Sequence, residues 1–225
     1  MKASEFDYVE RPKQFARNDF WRQVRRTING EPVTQEQIQL IVKQIVQGLS
    51  LDKSDSLMDI GCGNGALTAE IEHHVSNVLG LDYSEYLIGV AKEYFESSSV
   101  QFLQLSIEEM IAGDLNAKYS KALLYGVSSY LDDNLLQQLI RWYFSSHKGR
   151  MFIGNVRDKS AASKFYNEPK SDEELEDHTT SIGKWRTPQW FDLLAQDLGV
   201  RIDFMKMPGR FYLSDFYFDV VLERP

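Results

Sequence analysis

Residues 59–65, with the sequence DIGCGNG, constrain this chain more than any other part of it. They follow a short apolar run that begins at Leu57 and precede the helix-like segment 66–71. A strand, a glycine turn and a helix are therefore predicted here. Glycine accepts positive φ and leaves space for a ligand against the backbone, and the first N–H groups of a helix have no partner within the helix. The segment predicts a site for a nucleotide-like ligand.

A second apolar run, residues 77–82 with the sequence NVLGLD, ends on a carboxylate seventeen residues after Gly65. Dinucleotide-binding folds place an acidic residue at this point, where it accepts hydrogen bonds from the ribose hydroxyls. Residues 61–66 also fit the G-x-G-x-x-[G/A] fingerprint of NAD-binding domains. The glycine pattern alone therefore leaves an NAD(P)-dependent oxidoreductase open as an alternative.

The two segments resemble those of class I S-adenosylmethionine-dependent methyltransferases, whose first motif is Asp-x-Gly-x-Gly-x-Gly and whose second strand ends on an acidic residue. The resemblance is specific over residues 56–130, and a carboxylate at position 59 suits the cationic amino group of S-adenosylmethionine. It implies S-adenosylmethionine as the cofactor. The cofactor-binding residues that it implies are Asp59, Gly61, Cys62, Gly63, Gly65, Asp82, Tyr83, Ser106, Ile107 and Tyr125.

Relatives commonly show Gly-Asp-Ala or a similar sequence after the third strand, whereas this chain has LSIE at residues 105–108. The hydroxyl of Ser106 can still exchange one hydrogen bond with the adenine, and the backbone of Ile107 can read the adenine edge. Cys62 is the single cysteine of the chain, so we expect a small side chain packed under the loop rather than a redox thiol.

Apolar runs alternate with longer amphipathic segments along the chain, which predicts βαβ units and an α/β fold. The last two runs, 200–205 and 216–222, are joined by a short link and should form an antiparallel hairpin. The family resemblance implies a Rossmann-like, seven-stranded, mostly parallel sheet in the order 3-2-1-4-5-7-6, with the last strand antiparallel and helices on both faces. The remaining predicted strands cover residues 57–60, 77–81, 100–105, 122–125 and 150–155.

The chain is predicted to have an N-terminal helical extension, residues 1–50, and a methyltransferase domain, residues 51–225. Within the extension we predict helices over 19–29 and 34–49, with Thr34 and Gln37 forming a capping box. The second helix should pack on the sheet, leaving the first free to act as a lid. Residues 158–185 follow the fifth strand and are predicted to form a mobile flap over the ligand crevice that recognises the substrate.

The candidate catalytic residues are His178, Tyr125 and Tyr130. His178 lies in the flap, where an imidazole can remove a proton from a hydroxyl at neutral pH, and the tyrosines follow the fourth strand. Trp185 and Arg186 at the flap exit are further candidates, as are Phe20 and Trp21 for closing the pocket. The chain lacks an Asn/Asp-Pro-Pro-Tyr sequence after strand 4 and a carboxylate at position 125, so we predict no adenine or glutamine amino-group methylation and no metal.

Composition narrows the possible partners. The formal net charge is −8 over 225 residues, and no basic block is present, so nucleic acid is disfavoured as a substrate. No secretory pattern or membrane-length apolar stretch occurs, which predicts a cytoplasmic protein, monomer or homodimer, without disulfides. The acidic run 168–177 is either solvated charge or a sign that the acceptor is not strongly anionic.

These observations predict transfer of a methyl group to an oxygen, in preference to a nitrogen, of a small polar metabolite or sugar. The overall arrangement resembles bacterial small-molecule methyltransferases of polysaccharide or natural-product pathways. Two alternatives stay open, namely an NAD(P)-dependent oxidoreductase and a protein that binds S-adenosylmethionine without catalysis. The oxidoreductase would need a Tyr-x-x-x-Lys proton relay, and neither Tyr94 nor Tyr166 has a lysine four residues later.

Overall fold

The N-terminal segment is mostly irregular in the computed structural model, which describes residues 6–113 and 119–224. Single helical turns cover Phe6–Glu10 and Arg11–Gln14, and they precede helix α1 (Phe20–Gln23) and a hairpin of β1 (Thr27–Ile28) and β2 (Glu31–Pro32). The predicted helix over 19–29 is therefore wrong in extent. Arg25 and Asn29 adopt φ of 57° and 51°, a left-handed conformation that stops a right-handed helix.

Helix α2 (Gln35–Leu49) forms where the apolar periodicity predicts it. Oγ1 of Thr34 accepts a hydrogen bond from the backbone N–H of Gln37 at 3.5 Å, so Thr34 caps the helix as expected. The reciprocal half of the capping box is wrong, because the Gln37 side chain instead accepts from the N–H of Tyr212 and donates to the carbonyl of Arg210. The apolar face of the helix is buried in one cluster with Phe152 of the sheet.

The main sheet contains seven strands, and its topology confirms the predicted order. Neighbouring strands follow the sequence β5-β4-β3-β6-β7-β9-β8, and β9 runs antiparallel to both of its neighbours while the other pairs are parallel. When the seven strands of this sheet are numbered along the chain, with β3 as the first, their order in the sheet is 3-2-1-4-5-7-6. The bounds are β3 Ser56–Ile60, β4 Asn77–Asp82, β5 Val100–Gln104, β6 Lys121–Tyr125, β7 Arg150–Arg157, β8 Arg201–Met205 and β9 Tyr217–Glu223.

Helices cover both faces of this sheet. Side chains alternate between the faces along each strand, so Phe152 enters the cluster under α2 while its neighbours Met151 and Ile153 enter a second cluster on the opposite face. The remaining helices are α3 Ala66–Ile71, α4 Glu85–Phe95, α5 Ile107–Ala112, α6 Asp133–Ser146, α7 Ala162–Phe165, α8 Asp172–Glu176 and α9 Pro188–Leu198. No helix in the described ranges is long and apolar enough to cross a membrane.

The segment after β7 carries its own small hydrophobic cluster, in which Trp185 is 1% exposed. The adjacent Arg186 is also buried and donates from Nη1 to the carbonyl of Ser128 at 2.6 Å and from Nη2 to Asp133 at 3.0 Å. Trp185 and Arg186 therefore anchor this segment to the main domain, and neither lines the cavity described below. Their expected place in the site is wrong.

Candidate active site

A cavity of about 680 Å³ opens at the carboxyl ends of the central strands. Its walls come from the glycine loop after β3, the ends of β4, β6 and β7, the N-terminal segment, and the flap. This is the crevice where open α/β sheets bind ligands, because the loops after neighbouring parallel strands converge at that edge. Its volume lies within the roughly 300–1,000 Å³ of small-molecule sites.

The glycine loop presents its backbone to this cavity at Gly61 and Gly63, which adopt φ of 74° and 59°. A Cβ on Gly61 would lie 2.4 Å from Cγ2 of Val127, so the loop could not keep its shape with a larger residue. Gly65 has a different role and does not line the cavity. A Cβ added at Gly65 would lie 2.7 Å from Cζ of Phe102, so this glycine lets α3 pack closely on the sheet.

Two buried carboxylates flank the loop. Asp59 accepts a hydrogen bond from Oγ1 of Thr68 at 2.6 Å, and Asp82 accepts from the N–H groups of Gly63 and Ser84, both at 2.9 Å. Burial raises the pKa of each aspartate to about 6, with the hydrogen bonds acting against that shift. Asp82 therefore fixes the shape of the glycine loop as well as facing the cavity.

The loop cysteine is buried at the edge of the cavity. Cys62 is 9% exposed, and its Sγ lies 3.7 Å from the carbonyl oxygen of Gly63. Burial raises the pKa of this thiol well above its usual range, so the thiolate is disfavoured.

The opposite end of the cofactor half is formed by Tyr83 and by the N-terminus of α5. Ser106 caps that helix, since its Oγ accepts from the N–H of Glu109 at 3.2 Å while its own N–H donates to the Glu109 carboxylate at 2.9 Å. Ile107 and Glu108 also line the cavity. The hydroxyl hydrogen of Ser106 remains able to donate, whereas its backbone N–H is engaged by Glu109.

The N-terminal segment is fixed to the glycine loop by side-chain hydrogen bonds. Nδ2 of Asn64 donates to the carbonyl of Phe20 at 2.8 Å and to Oε1 of Gln23 at 2.9 Å. Gln23 is fully buried and donates in turn to the carbonyl of Ala16. Trp21 lines the cavity, while the Phe20 ring packs outside it. This segment is thus tied to the loop rather than resting free above it.

The three candidate catalytic residues all line the cavity. The hydroxyl of Tyr130 donates to the carbonyl of Ser181 in the flap at 3.2 Å, and His178 reaches the cavity from the same flap. Tyr125 is 7% exposed, and burial raises its pKa far above the usual range, although the guanidinium of Arg26, 4.9 Å from the ring centre, opposes the shift. Tyr125 therefore stays protonated at neutral pH, where its hydroxyl can donate a hydrogen bond but cannot serve as a base.

Sequence reasoning missed several residues that line the cavity, and we call the part that they line the far half. They are Tyr8, Arg26, Arg157, Tyr212 and Tyr217. Tyr217 is buried and Tyr212 is partly buried, yet each also lines the cavity. Arg157 could have been found, because it is a charged residue at the carboxyl end of a central strand. Tyr8 and Arg26 reach the site only through the path of the N-terminal segment, which carries no such signal.

Comparison with known proteins supports this description. Residues 57–146 match the methyltransferase domain family. A probable cobalt-precorrin-6B C(15)-methyltransferase (decarboxylating) from Methanocaldococcus jannaschii is 32% identical over 76 residues, which cover 34% of this chain and 40% of that protein. The chain thus spans less than half the length of this relative.

Solved structures show the same fold over most of the chain. The N-methyltransferase NodS from Bradyrhizobium japonicum has a TM-score of 0.61 at 15% identity, covering 85% of this chain and 98% of that one. Magnesium protoporphyrin IX methyltransferase from Synechocystis PCC 6803 with bound SAM has a TM-score of 0.58 at 17% identity, covering 85% and 79%. The predicted resemblance to class I methyltransferases is confirmed, and the similar proteins differ in the atom that they methylate.

Proposed function

Since residues 57–146 match the methyltransferase domain family and the sheet has the class I strand order, we propose that this chain is an S-adenosylmethionine-dependent methyltransferase acting on an oxygen of a small polar metabolite or sugar. One observation carries the proposal. The glycine loop and Asp82 line the same cavity as His178, Tyr125 and Tyr130. Cofactor and acceptor would therefore meet inside one site.

The cofactor half fits S-adenosylmethionine in its chemistry. Gly61 and Gly63 leave the loop backbone open to the cavity, and Asp59 offers a buried negative charge for a cationic amino group. Asp82 lies at the end of β4, where a carboxylate oxygen can accept from ribose hydroxyls. Tyr83, Ser106 and Ile107 would border the adenine. We assign these residues, with Cys62, Gly65 and Tyr125 in supporting positions, to cofactor binding.

The bound cofactor supplies a methyl group that is already activated on a sulfonium. The chain therefore needs mainly to align the acceptor and exclude water, and orientation alone can contribute roughly 7–11 kcal/mol to lowering the barrier. Apolar side chains from several elements would exclude water from the cavity. They include Trp21 of the N-terminal segment and Val127 and Leu131 after β6. These elements are held in place by the bonds of Asn64 and Arg186.

We assign the general base to His178. An alcohol acceptor gains acidity only as the new bond forms, so a base within hydrogen-bonding reach speeds the reaction by typically 10²–10⁴-fold. Tyr125 is unsuited to this role because of its raised pKa. Tyr130 would orient the acceptor, since its hydroxyl already bonds to the flap at Ser181. A nitrogen acceptor with a free lone pair would not need the base.

The proposal includes a small-molecule acceptor rather than nucleic acid, and a cytoplasmic location. The net charge of −8 disfavours binding to polyanions, and the acceptor half of the cavity is walled by the N-terminal segment and the flap. The flap is proposed to open for substrate entry. Its ties to the domain run through the exit at Arg186 and through the carbonyl of Ser181, which accepts from Tyr130 and from Nη1 of Arg25.

The test is methyl transfer itself. Purified protein is incubated with S-adenosylmethionine carrying a labelled methyl group and a panel of small hydroxylated and aminated metabolites, and both labelled product and S-adenosylhomocysteine are measured. Labelled ether or ester products that require the protein would support the proposal. Tight cofactor binding without turnover on any acceptor would favour the non-catalytic alternative, and exclusive transfer to amines would overturn the assignment of oxygen.

A further inference from the structure

The far half of the cavity contains two guanidinium groups that the cofactor does not account for. Arg157 ends β7, Arg26 lies in the N-terminal segment, and both line the cavity together with Tyr212. Burial raises the pKa of the Tyr212 phenol, and the charges of both guanidiniums oppose that rise. Both arginine side chains are partly buried.

Neither guanidinium has a carboxylate partner in the part of the chain that the structure describes. Nη1 of Arg157 donates to the hydroxyl of Tyr217 at 2.5 Å, and the guanidinium lies over the rings of Trp185 and Tyr217, at 5.7 and 5.2 Å from their centres. Arg26 lies over the rings of Tyr125 and Trp21. The Nε atoms of both arginines are buried and make no hydrogen bond among the described residues.

The carboxylates that line the cavity are committed elsewhere. Asp59 is bonded to Thr68, Asp82 to the glycine loop, and Asp132 accepts from the N–H of Leu135 at 2.7 Å as the cap of α6. Glu108 is exposed on the adenine side. None of these carboxylates forms an ion pair within 4 Å of Arg26 or Arg157 among the described residues, although the charge of Arg26 lowers the pKa of Asp59 against the effect of burial.

A buried cation without an anionic partner is unfavourable, because desolvation is not offset by Coulomb attraction. Aromatic faces and the phenol hydroxyls of Tyr217, Tyr130 and Tyr125 are neutral partners and offset only part of this cost. An anion with two or more oxygens would supply the missing acceptors for the fork of donors on a guanidinium. The aromatic rings around the two arginines would contact a flat or apolar body attached to that anion.

We propose that the methyl acceptor carries an oxyanion, a carboxylate or a phosphate, bound by Arg157 with Arg26 as the second cation, and that the surrounding tyrosines enclose its organic part. This assignment rests on the proposed function and specifies the acceptor class for the same site. An anionic acceptor is at odds with the interpretation of the acidic run 168–177 as a sign that the acceptor is not strongly anionic, and the structure gives these residues another role. The acidic residues of 168–177 do not line the cavity, and Asp172, Glu174 and Glu176 pair with Lys159 or Lys170 on the flap itself.

The test measures anion binding directly, without a known acceptor. Benzoate, acetate and inorganic phosphate are titrated at low ionic strength into protein saturated with S-adenosylhomocysteine, followed by calorimetry. Benzamide serves as the neutral match for benzoate. We expect saturable binding of at least one anion and at least tenfold weaker binding of benzamide than of benzoate. Benzoate or acetate without phosphate would assign a carboxylate, and phosphate alone would assign a phosphate ester.

Variants show whether a change in anion binding comes from loss of this site, from the change in net charge or from unfolding. Arg157→Met and Arg26→Met keep the aliphatic stem, and each should weaken anion binding at least tenfold. Arg141→Met removes the same charge from an exposed position paired with Asp197 and should bind as the parent does. Circular dichroism and S-adenosylhomocysteine affinity report whether each variant is folded, so a loss of anion binding with both retained supports the site.

Three results would overturn the proposal: no saturable binding of any of the three anions, equal binding of benzamide and benzoate, or unchanged anion affinity in folded Arg157→Met. Failure of the proposed function gives a different pattern. In that case S-adenosylhomocysteine itself does not bind the parent protein, and the anion titrations are repeated on the free protein, where the two arginines can still be tested.

Discussion

Nδ2 of Asn64 donates a hydrogen bond to Oε1 of Gln23 at 2.9 Å, joining the glycine loop to the N-terminal segment forty-one residues earlier. The same amide nitrogen donates to the carbonyl of Phe20 at 2.8 Å. Because Gln23 is fully buried, these bonds make the shape of the cofactor loop and the position of the cavity wall at Trp21 depend on each other.

Asn64→Ala should destabilise the protein and loosen this wall. The change leaves the buried Oε1 of Gln23 and the carbonyl of Phe20 without their donor, which costs about 1–3 kcal/mol for a buried unsatisfied group. Urea unfolding measures the loss. Asn77→Ala is the matched control, since the Asn77 side chain is exposed and donates to the neighbouring Oγ of Ser76, and it should stay within about 0.5 kcal/mol of the parent. Equal stabilities of the two variants would refute the coupling.

Gly61→Ala adds only one methyl group, but it should lower both the stability of the protein and its affinity for the cofactor. The residue has φ of 74°, and its Cβ would lie 2.4 Å from Cγ2 of Val127, so both strain and overlap oppose the substitution. We expect a loss of about 1–3 kcal/mol and weaker cofactor binding. Gly209→Ala, an exposed position with nothing within 4 Å of the new Cβ, should be nearly neutral.

A second variant identifies the cause of that loss. Val127→Ala removes the methyl group that the new Cβ would strike, so combining it with Gly61→Ala should recover the part of the loss that comes from overlap, leaving the part that comes from φ. If the double variant loses the sum of the two single losses, the contact with Val127 is not the cause.

S-adenosylmethionine should bind more tightly as the pH rises from 5 to 7. The pKa of Asp59 is raised to about 6 by burial, and the charges that act on it are Asp82, which raises its pKa, and Arg26, which lowers it. If the cationic ligand needs the ionised carboxylate, its affinity follows the ionised fraction, which grows about tenfold over this interval for a pKa near 6. Calorimetry at several pH values gives the profile, and an affinity that does not change with pH would contradict the role of Asp59.

The ligand-free protein should show the opposite dependence. Asp59, Asp82 and Asp219 all have pKa values raised to about 6 from 3.8, so the folded state binds more protons than the unfolded state between these values. Their contribution to the free energy of unfolding therefore falls as the pH rises from about 4 to about 6. Asp219→Asn removes one titrating group outside the cavity, and the slope of stability against pH should be shallower in this variant. An unchanged slope would mean that Asp219 does not titrate in this range.

His178→Gln should lower turnover on an alcohol acceptor by about 10²-fold or more while leaving cofactor affinity unchanged. The reason is that glutamine keeps a polar side chain at the cavity but cannot take up a proton at neutral pH. Steady-state kinetics and cofactor calorimetry provide the two readings. His73→Gln, an exposed histidine away from the cavity, is the control. Turnover within about threefold of the parent would remove His178 from the mechanism.

The central sheet could be predicted from the sequence because its signals are local. Apolar runs mark the strands, the loop glycines adopt the positive φ that their residue type permits, and a short link forces the last two strands into a hairpin. The paths of the flanking segments could not be predicted in the same way. Arg25 ends the predicted first helix by adopting positive φ, although nothing in its residue type indicates that.

The acceptor half of the site depends on contacts between distant parts of the chain. Gln37 has the residue type of a capping box, yet its side chain bonds to the backbone of Tyr212, 175 residues later. Arg26 and Arg157 line the same cavity although they are far apart in the chain, and the N-terminal segment that carries Arg26 is tied to the glycine loop through Asn64. Such partners are set by tertiary packing, so a pattern along the sequence does not reveal them.

The most direct test of this account is calorimetric titration of the purified protein with S-adenosylmethionine, S-adenosylhomocysteine, NADH and NADPH under identical conditions. We predict that both adenosyl ligands bind with one-to-one stoichiometry, that neither nicotinamide binds measurably, and that Asp82→Asn weakens adenosyl binding at least tenfold while remaining folded. Binding of a nicotinamide without the adenosyl ligands, or of none of the four, would contradict the claim that this cavity holds S-adenosylmethionine.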